Sequence, residues 1–267
     1  MSEITQKRET FDREASQYER VRPGYPEELF EDVIKLSNIP ANGKILEIGC
    51  DTGQATLPFA RRGYSIHCIE LGENLAAIAK KNLAQYPNAK VSTGSFEEFS
   101  LQEDSYDLVI SATAFHWVDP EIGYPKVAKI LKPKGTIALF WNKPVQTELS
   151  AEFFESVQSV YMQVVPSMAK EFPGLPHPDE IQLPIKAEIE QTGQFGNVTT
   201  RKYKWDREYI AQEYVNLLNT YSDHLSLDDD TRIRLLKGIE NHIDTEFGGV
   251  IVKEHLAILY LAKRKED

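Results

Sequence analysis

The most chemically suggestive segment of the 267-residue sequence is a glycine loop between an apolar and a polar stretch. Residues 46–54 spell L-E-I-G-C-D-T-G-Q. Glycines at positions 49 and 53 allow positive φ angles and a close approach of the backbone to a ligand. The amides at the start of a following helix are free to donate hydrogen bonds. The pattern therefore predicts a ligand-binding turn between a strand and a helix.

This loop departs from the two common phosphate-binding patterns. A P-loop places Lys and then Ser or Thr after its last glycine, whereas Gln54 follows Gly53. A dinucleotide fingerprint that starts at Gly49 needs glycines two and five positions later, and the chain has Asp51 and Gln54 there. Asp51 would repel a pyrophosphate, and Glu47 adds a second negative charge just upstream. An acidic loop indicates a cationic ligand instead.

A further carboxylate stands where the next strand is expected to end. Glu70 follows the glycine loop, and a carboxylate can accept hydrogen bonds from both hydroxyls of a ribose. S-adenosylmethionine combines a positive centre, an ammonium group, a ribose and an adenine. The acidic loop and Glu70 together favour it as the ligand.

These residues need a scaffold, and the sequence before residue 143 alternates strand-like with helix-like segments. Apolar runs predict the strands, and apolar residues spaced by three and four predict the helices. The expected strands cover residues 44–48, 64–70, 89–92, 106–112 and 136–141, and the expected helices cover 27–37, 54–62, 74–85 and 123–131. Repeated strand-helix-strand order predicts a parallel sheet with helices on both faces and ligands beyond the carboxyl ends of its strands.

The sequence after residue 143 has a different character. It predicts a long helix, a proline-rich loop, a strand, two helices and a last segment that fits either a strand or a buried helix end. These segments cover residues 148–170, 172–184, 198–205, 206–221, 229–243 and 255–262, in that order. We favour a strand for the last one because two more strands would complete the sheet.

The predicted fold class is therefore α/β, with a doubly wound, mostly parallel seven-stranded sheet and a helical cap inserted in the C-terminal part. Residues 1–142 would form a Rossmann-like cofactor-binding core with an N-terminal lid at 1–26. Residues 143–267 would supply the cap insertions and the last two strands of the sheet.

Six motifs in order resemble the class I methyltransferases, in particular the small-molecule type 11 group that includes trans-aconitate methyltransferase-like proteins. The motifs are F-D-R-E-A-S-Q-Y-E-R-V-R-P-G-Y-P, L-E-I-G-C-D-T-G-Q, I-E-L-G, G-S-F-E-E-F, D-L-V-I-S-A-T-A-F-H-W-V-D and L-K-P-K-G-T-I-A-L. They cover roughly residues 10–141, and the C-terminal part resembles the family loosely. The resemblance implies the sheet described above and S-adenosylmethionine as cofactor.

The resemblance also implies which residues surround the sulfonium end of the cofactor. Glu47 and Gly49 would flank the methionine moiety, and Ser111 with Ala112 would end the fourth strand beside the sulfonium. The other cofactor-binding residues implied in the loop are Asp51, Gly53 and Gln54. The family usually has glycine where Asp51 stands, and because aspartate tolerates a left-handed backbone, we expect the turn to persist.

At the adenosine end, Glu70 would bind the ribose hydroxyls and Leu71 would pack on one adenine face. Ser95 and Phe96 would border the adenine, with serine where the family often has an acid. The lid residues implied by the resemblance are Tyr18 and Arg22, which would close over the cofactor, with Arg22 free to pair with its carboxylate.

Four residues are candidates for the methyl-acceptor pocket, namely His116, Trp117, Tyr214 and Tyr221. His116 could act as a general base near its natural pKa, shape the pocket or bond a loop carbonyl, and these alternatives stay open. Tyr214 and Tyr221 belong to the expected helix over 206–221, which either lines a pocket or packs as an ordinary amphipathic helix.

Other features predict no further chemistry. Acids at 228–230 begin an expected helix, where they favour its dipole, and we predict no metal site. Cys50 and Cys68 are the only cysteines, and we expect small buried side chains and a reducing cytoplasm.

Composition excludes several classes of protein. With 41 acids, 30 bases and a formal charge of −11, the chain lacks the basic surface of a bulk nucleic-acid binder. Apolar residues at 41% indicate a globular chain rather than a disordered one. No apolar run is long enough for a membrane span, and the first residues have no secretion-signal pattern.

We therefore expect an S-adenosylmethionine-dependent methyltransferase for a small molecule, with O-methylation of a carboxylate or hydroxyl favoured. One alternative is a relative that binds the cofactor without transferring methyl groups, which Asp51 keeps open. A nicotinamide-dependent oxidoreductase is a second alternative, disfavoured by the missing glycines. The sequence identifies neither the acceptor nor the oligomeric state.

Overall fold

The structure is a computed structural model of the chain, and it describes residues 23–266. Two of the predicted cofactor residues, Tyr18 and Arg22, lie outside the described residues, as does most of the predicted lid over 1–26.

The described chain forms seven strands that belong to one sheet. They are β1 (Lys44–Ile48), β2 (Ser65–Glu70), β3 (Ala89–Thr93), β4 (Tyr106–Ala112), β5 (Leu131–Val145), β6 (Thr199–Ile210) and β7 (Val250–Lys263). Their order across the sheet is β3-β2-β1-β4-β5-β7-β6. The first five strands run parallel, and β7 pairs antiparallel with both β5 and β6. The predicted α/β fold class is confirmed, including the strand at 255–262.

Eleven α-helices accompany these strands in the described part of the chain. They are α1 (Glu27–Ser37), α2 (Thr56–Arg61), α3 (Glu73–Asn82), α4 (Pro120–Ile130), α5 (Glu148–Ser156), α6 (Gln158–Val164), α7 (Pro166–Glu171), α8 (Ile185–Gln191), α9 (Ala211–Leu218), α10 (Ser222–Leu225) and α11 (Asp229–Glu246). Among these helices, none has the length and apolar character that crossing a membrane requires.

Apolar side chains cover both faces of the sheet. One core joins the strands to α1, α2 and α3 through residues such as Leu29 and Phe59. The other joins them to α4 and α8 through Val127 and Ile189. The central strands are apolar on both faces, as expected for parallel strands that helices cover on each side. The strand order reverses between β1 and β4, which is where such sheets bind ligands.

The C-terminal helices have a core of their own. Phe153, Tyr214, Leu217 and Ile239, from α5, α9 and α11, are buried in a third apolar cluster together with Ile251 at the start of β7. These helices are inserted around β6, whereas β6 and β7 continue the main sheet. Strands from both predicted parts thus share one sheet, and the division into 1–142 and 143–267 stays a prediction.

Two element predictions in this part are wrong. The expected helix over 148–170 is three helices, and the last begins at Pro166, which has no backbone N–H to continue the preceding helix. The expected helix over 206–221 begins later, because residues up to Ile210 extend β6 and pair with the first residues of β7. The sequence analysis also missed the short helix α8.

A substitution at Phe140 tests the apolar core between the sheet and α1. Its side chain is fully buried, with Tyr25 and Phe30 in edge-on contact at centroid distances of 4.9 and 6.2 Å. We expect Phe140→Ala to lower the free energy of unfolding by about 3–5 kcal/mol, because it removes buried area and leaves a cavity. Urea denaturation measures this loss. Ile233→Ala, at a side chain that is 60% exposed, serves as control, and a similar loss in both variants would contradict the packing described.

Candidate active site

A cavity of about 720 Å³ lies at the carboxyl ends of the central strands. This is within the size range of small-molecule sites. The loop after β1, the end of β2, the loop after β3 and the loop after β4 all contribute to its wall, and β5, β7 and Tyr221 complete it. Many of the predicted cofactor residues line this one cavity: Glu47, Gly49, Asp51, Gln54, Glu70, Leu71, Ser95, Phe96 and Ala112.

The glycine loop forms the predicted turn. Gly49 has a φ of 68°, and its amide donates to the Ile69 carbonyl of β2 at 2.8 Å. A Cβ on Gly49 would lie 2.5 Å from the Cβ of Ala114, so the backbone can pass there only without a side chain. Asp51 adopts a left-handed φ of 52°, which an aspartate tolerates. Gly53 is buried beneath the turn, against Leu83, and does not line the cavity.

Glu70 connects this turn to the end of β2. Its carboxylate accepts hydrogen bonds from the amides of Asp51 at 2.8 Å and of Gly72 at 2.9 Å. The side chain is 7% exposed and lines the cavity. A carboxylate oxygen can accept more than one hydrogen bond, so these two contacts are compatible with hydrogen bonds from a ligand's hydroxyls.

Glu47 is a fully buried carboxyl group at the same edge of the sheet. Thr56 Oγ1 donates to its Oε2 at 2.5 Å, and its Oε1 has no hydrogen-bond partner among the residues described. The pKa of Glu47 is raised to about 8, mainly by burial; the Thr56 hydrogen bond opposes this shift, and the nearby Glu70 and Asp51 charges add to it. Without a ligand, the group is mostly protonated at neutral pH.

The loop after β3 supplies the predicted adenine-side residues. The hydroxyl of Ser95 donates to Glu97 Oε2 at 2.7 Å, which leaves the lone pairs of its own oxygen as acceptors. Phe96 is buried, and its ring lies 5.0 Å from Lys126 Nζ, which also bonds the carbonyls of Phe96, Glu97 and Phe99. The loop is therefore held at several points.

At the end of β4, one residue joins the strand to β1 and the next two line the cavity. Ser111 is fully buried, and its hydroxyl donates to the Ile48 carbonyl of β1 at 2.7 Å, so its side chain fastens two strands and does not line the cavity. Ala112 and Thr113 do line it. Thr113 Oγ1 shares a 2.5 Å hydrogen bond with the Tyr25 hydroxyl.

His116 and Trp117 lie in a short 3₁₀ helix after β4, and both line the cavity. Trp141 Nε1 donates to His116 Nδ1 at 3.1 Å. Because an indole N–H can only donate, Nδ1 is the acceptor, and the neutral ring carries its hydrogen on Nε2. In this arrangement His116 donates from Nε2 and has no free nitrogen to accept a proton, so the geometry favours the pocket-shaping alternative over the general base.

The two candidate tyrosines of the cap have different environments. Tyr221 lines the cavity. Tyr214 is buried in the cap core, where its ring packs edge-on against Phe153 at 5.3 Å, and it does not border the cavity. The prediction for Tyr214 assumed a single helix from residue 206, whereas α9 begins at Ala211.

The sequence analysis missed several residues that line the cavity. They are Tyr25, Glu97, Asn142, Pro144 and His255. Tyr25 and Glu97 lie within quoted motifs and could have been singled out. Asn142, Pro144 and His255 depend on the pairing of β5 with β7, in which Pro144 lies opposite His255, and no local pattern indicates that pairing.

Within the described residues, no group of His, Cys, Asp or Glu side chains is arranged to hold a metal ion. Asp228 instead caps α11, with its side chain accepting from the Thr231 amide at 2.9 Å.

The sequence of residues 46–139 matches the family described as "Methyltransferase domain". An uncharacterised methyltransferase from Mycobacterium tuberculosis is 33% identical over 125 residues, which are 47% of this chain and 49% of that protein. A probable S-adenosylmethionine-dependent methyltransferase from Saccharomyces cerevisiae is 30% identical over 132 residues, 48% of this chain and 45% of that protein. The chain thus spans about half the length of these curated relatives.

Solved structures align both with the part of the chain that matches this family and with the C-terminal part. A protein from Anaeromyxobacter dehalogenans described as a type II methyltransferase aligns with a TM-score of 0.63 and 20% identity, over 92% of this chain and 99% of that one. The Haemonchus contortus phosphoethanolamine N-methyltransferase 2 in complex with S-adenosyl-L-methionine aligns with a TM-score of 0.55 and 15% identity, over 96% of this chain and 57% of that one. At these identities the likeness shows a shared, Rossmann-like α/β fold.

The close approach at Gly49 leads to a test of the turn. We expect Gly49→Ala to destabilise the protein more than Gly63→Ala, since both glycines have positive φ values of 68° and 85° but only Gly49 has a neighbour in the way. The backbone strain costs about 1–2 kcal/mol in each variant, and the contact with Ala114 adds about 1–3 kcal/mol. Urea unfolding compares the two, and equal losses would show that the turn has room for a side chain.

The buried carboxyl of Glu47 leads to a pH-dependent test. Its pKa is higher in the folded chain, at about 8, than the ordinary value of 4.5, so its contribution to stability falls as pH rises between these values. Glu47→Gln removes that titration and can still accept from Thr56. We expect the stability of the variant relative to the original protein to increase by roughly 2–5 kcal/mol between pH 5 and pH 8. Unfolding curves at both pH values measure the difference, and a pH-independent difference would contradict a buried, protonated Glu47.

Proposed function

We propose that this protein is an S-adenosylmethionine-dependent methyltransferase that acts on a small molecule. The observation that carries the proposal is the meeting, in one cavity, of the Gly49 turn with the carboxyl groups of Glu47, Asp51 and Glu70. This set suits a cation with ribose hydroxyls and disfavours a pyrophosphate. The methyltransferase domain at residues 46–139 and the relatives that carry that name support it.

The described residues fit the cofactor in their chemistry. The Gly49 position leaves space that a Cβ would fill, and the unpartnered Oε1 of buried Glu47 is available for a hydrogen bond with the cofactor. Glu70 is fastened by two backbone amides and can accept from both ribose hydroxyls. Leu71, Ser95, Phe96 and Glu97 would border the adenine. Glu97, two residues after Ser95, offers the acid that the family often has at the Ser95 position.

The bound cofactor would supply a methyl group that is already activated by a positive sulfur. The protein's part is then to orient the two reactants and to exclude water. Ala112 and Thr113 at the end of β4, with His116 and Trp117 after it, are placed to shape the space in which an acceptor meets that methyl group. We propose O-methylation of a hydroxyl or carboxylate. A malonyl-[acyl-carrier protein] O-methyltransferase of Halalkalibacterium halodurans is 28% identical over 99 residues and gives this proposal distant support.

A binding experiment tests the cofactor assignment. Isothermal calorimetry with S-adenosylhomocysteine should give saturable binding, which Glu70→Gln weakens roughly 10- to 100-fold, because the amide nitrogen of glutamine cannot accept a hydrogen bond. Glu98→Gln is the matched control, since it removes an equal charge from an exposed side chain that does not line the cavity, and it should change affinity by less than about threefold.

Two results would argue for the alternatives. Thermal stabilisation by a nicotinamide dinucleotide but not by S-adenosylhomocysteine would overturn the proposal and favour an oxidoreductase. Binding of S-adenosylmethionine without methyl transfer to any compound in a broad set of hydroxyl and carboxylate acceptors would favour a cofactor-binding relative without transferase activity.

We further propose a cytoplasmic location. The two cysteines, Cys50 and Cys68, are free thiols in the structure and both are buried, which suits a reducing compartment.

A further inference from the structure

One stretch of the cavity wall comes from β5 and β7. Asn142 and Pro144 on β5 line the cavity together with His255 on β7, and His255 lies opposite Pro144 in the antiparallel ladder between these strands. None of these residues belongs to the glycine loop or to the expected cofactor set. They are therefore available to contact the methyl acceptor.

The ring of His255 is held in a fixed position. It stacks on Trp205 with a centroid distance of 4.7 Å and an interplanar angle of 21°. Trp205 Nε1 in turn donates to Asn142 Oδ1 at 3.0 Å, and Asn142 Nδ2 donates to the Gly24 carbonyl at 2.6 Å. The chain of contacts fixes the orientation of the histidine before any ligand binds.

His255 nevertheless has unused hydrogen-bonding capacity. The side chain is 2% exposed, and its Nδ1 has no hydrogen-bond partner among the residues described. A buried polar atom without a partner is costly. Because the ring lines the cavity, a bound ligand can remove that cost.

The ring is uncharged at neutral pH. The pKa of His255 is lowered to about 3, mainly by burial; the positive charges of Lys253 and Arg207 add to this shift, and a hydrogen bond with the Lys253 backbone opposes it. A neutral imidazole offers one donor and one acceptor but no countercharge.

The rest of the lining defines the chemistry of the ligand. Among the described residues that line the cavity, none is Lys or Arg, so that part of the wall offers an anionic acceptor no basic partner. Aromatic rings of Tyr25, Trp117 and Tyr221 contribute to the wall instead. This combination suits a planar, uncharged molecule with a polar hydrogen-bonding group.

We propose that His255 binds the hydroxyl group of an uncharged aromatic methyl acceptor. This inference rests on the proposed function and specifies its acceptor as a hydroxylated aromatic compound rather than a carboxylic acid. The hydrogen bond from the fixed ring would orient the hydroxyl within the cavity.

The test uses the full chain saturated with S-adenosylhomocysteine and two probes of similar shape, 2-naphthol and 2-naphthoic acid, at neutral pH. Calorimetry should detect binding of the uncharged 2-naphthol and at least tenfold weaker binding of the anionic 2-naphthoic acid. His255→Phe keeps a ring against Trp205 and removes both nitrogens. It should weaken 2-naphthol about tenfold, equivalent to about 1.4 kcal/mol, and change the affinity for S-adenosylhomocysteine by less than twofold.

Two further variants separate the hydrogen bond from a structural effect. His255→Asn restores a polar atom near the position of Nδ1 without the ring, and it should bind 2-naphthol more tightly than His255→Phe. His67→Phe changes a half-buried histidine that bonds Tyr106 and Ser92 and does not line the cavity, and it should leave the affinity for 2-naphthol unchanged.

The inference is overturned if 2-naphthoic acid binds as tightly as 2-naphthol, if 2-naphthol does not bind, or if His255→Phe binds 2-naphthol as the original protein does. In each case S-adenosylhomocysteine binding would still support the proposed function. Absence of S-adenosylhomocysteine binding in the original protein would instead overturn the proposed function, and this inference with it.

Discussion

The proposed active site depends on three carboxyl groups that the sheet brings together and partly removes from water. Glu47 on β1, Asp51 in the following loop and Glu70 at the end of β2 line one cavity. Like charges in such proximity are costly, and the protein limits the cost in two ways. Glu70 is neutralised in part by two backbone amides, and Glu47 retains its proton because burial raises its pKa. The Gly49 turn, Thr56 and the β1–β2 pairing all serve to hold this arrangement.

The first half of the fold could be predicted because its elements are encoded locally. The apolar runs at 44–48 and 106–112 were predicted with the bounds that β1 and β4 have in the structure. In the second half, tertiary contacts determine whether a segment forms a helix or a strand. Residues 206–210 carry a mixture of charged and aromatic residues that suits a helix or an edge strand equally, and pairing with Val250–Glu254 makes them a strand. Similarly, the apolar spacing after residue 148 predicts one helix, and Pro166 divides it.

The same distinction, between local pattern and tertiary contact, applies to the residues of the site. The predicted cofactor residues that line the cavity lie next to strand ends, as Gly49, Glu70 and Ser95 do, and motif spacing was sufficient to bring them together. Tyr214 was selected on an incorrect helix start and lies in the cap core instead. His255 could not be selected, because a histidine within an apolar strand is most simply explained as a core residue. Its importance depends on the register with Pro144 and on the stack with Trp205, which only the folded chain shows.

For a methyl donor with a positive sulfur, the two sides of the cavity need different electrostatics. Charge on the donor disperses in the transition state of transfer to an uncharged acceptor, so a strong ion pair with the donor would stabilise the reactants more than the transition state. A protonated Glu47 and a Glu70 already engaged by two amides supply polar contacts without a fully exposed negative charge. In the proposed site, a neutral His255 would likewise bind an acceptor without stabilising it as an ion. The partly compensated charge of Glu70 and the uncharged groups of Glu47 and His255 would therefore serve binding on both sides of the cavity without strongly opposing the transfer, at a cost to stability that the apolar cores of the sheet and cap must offset.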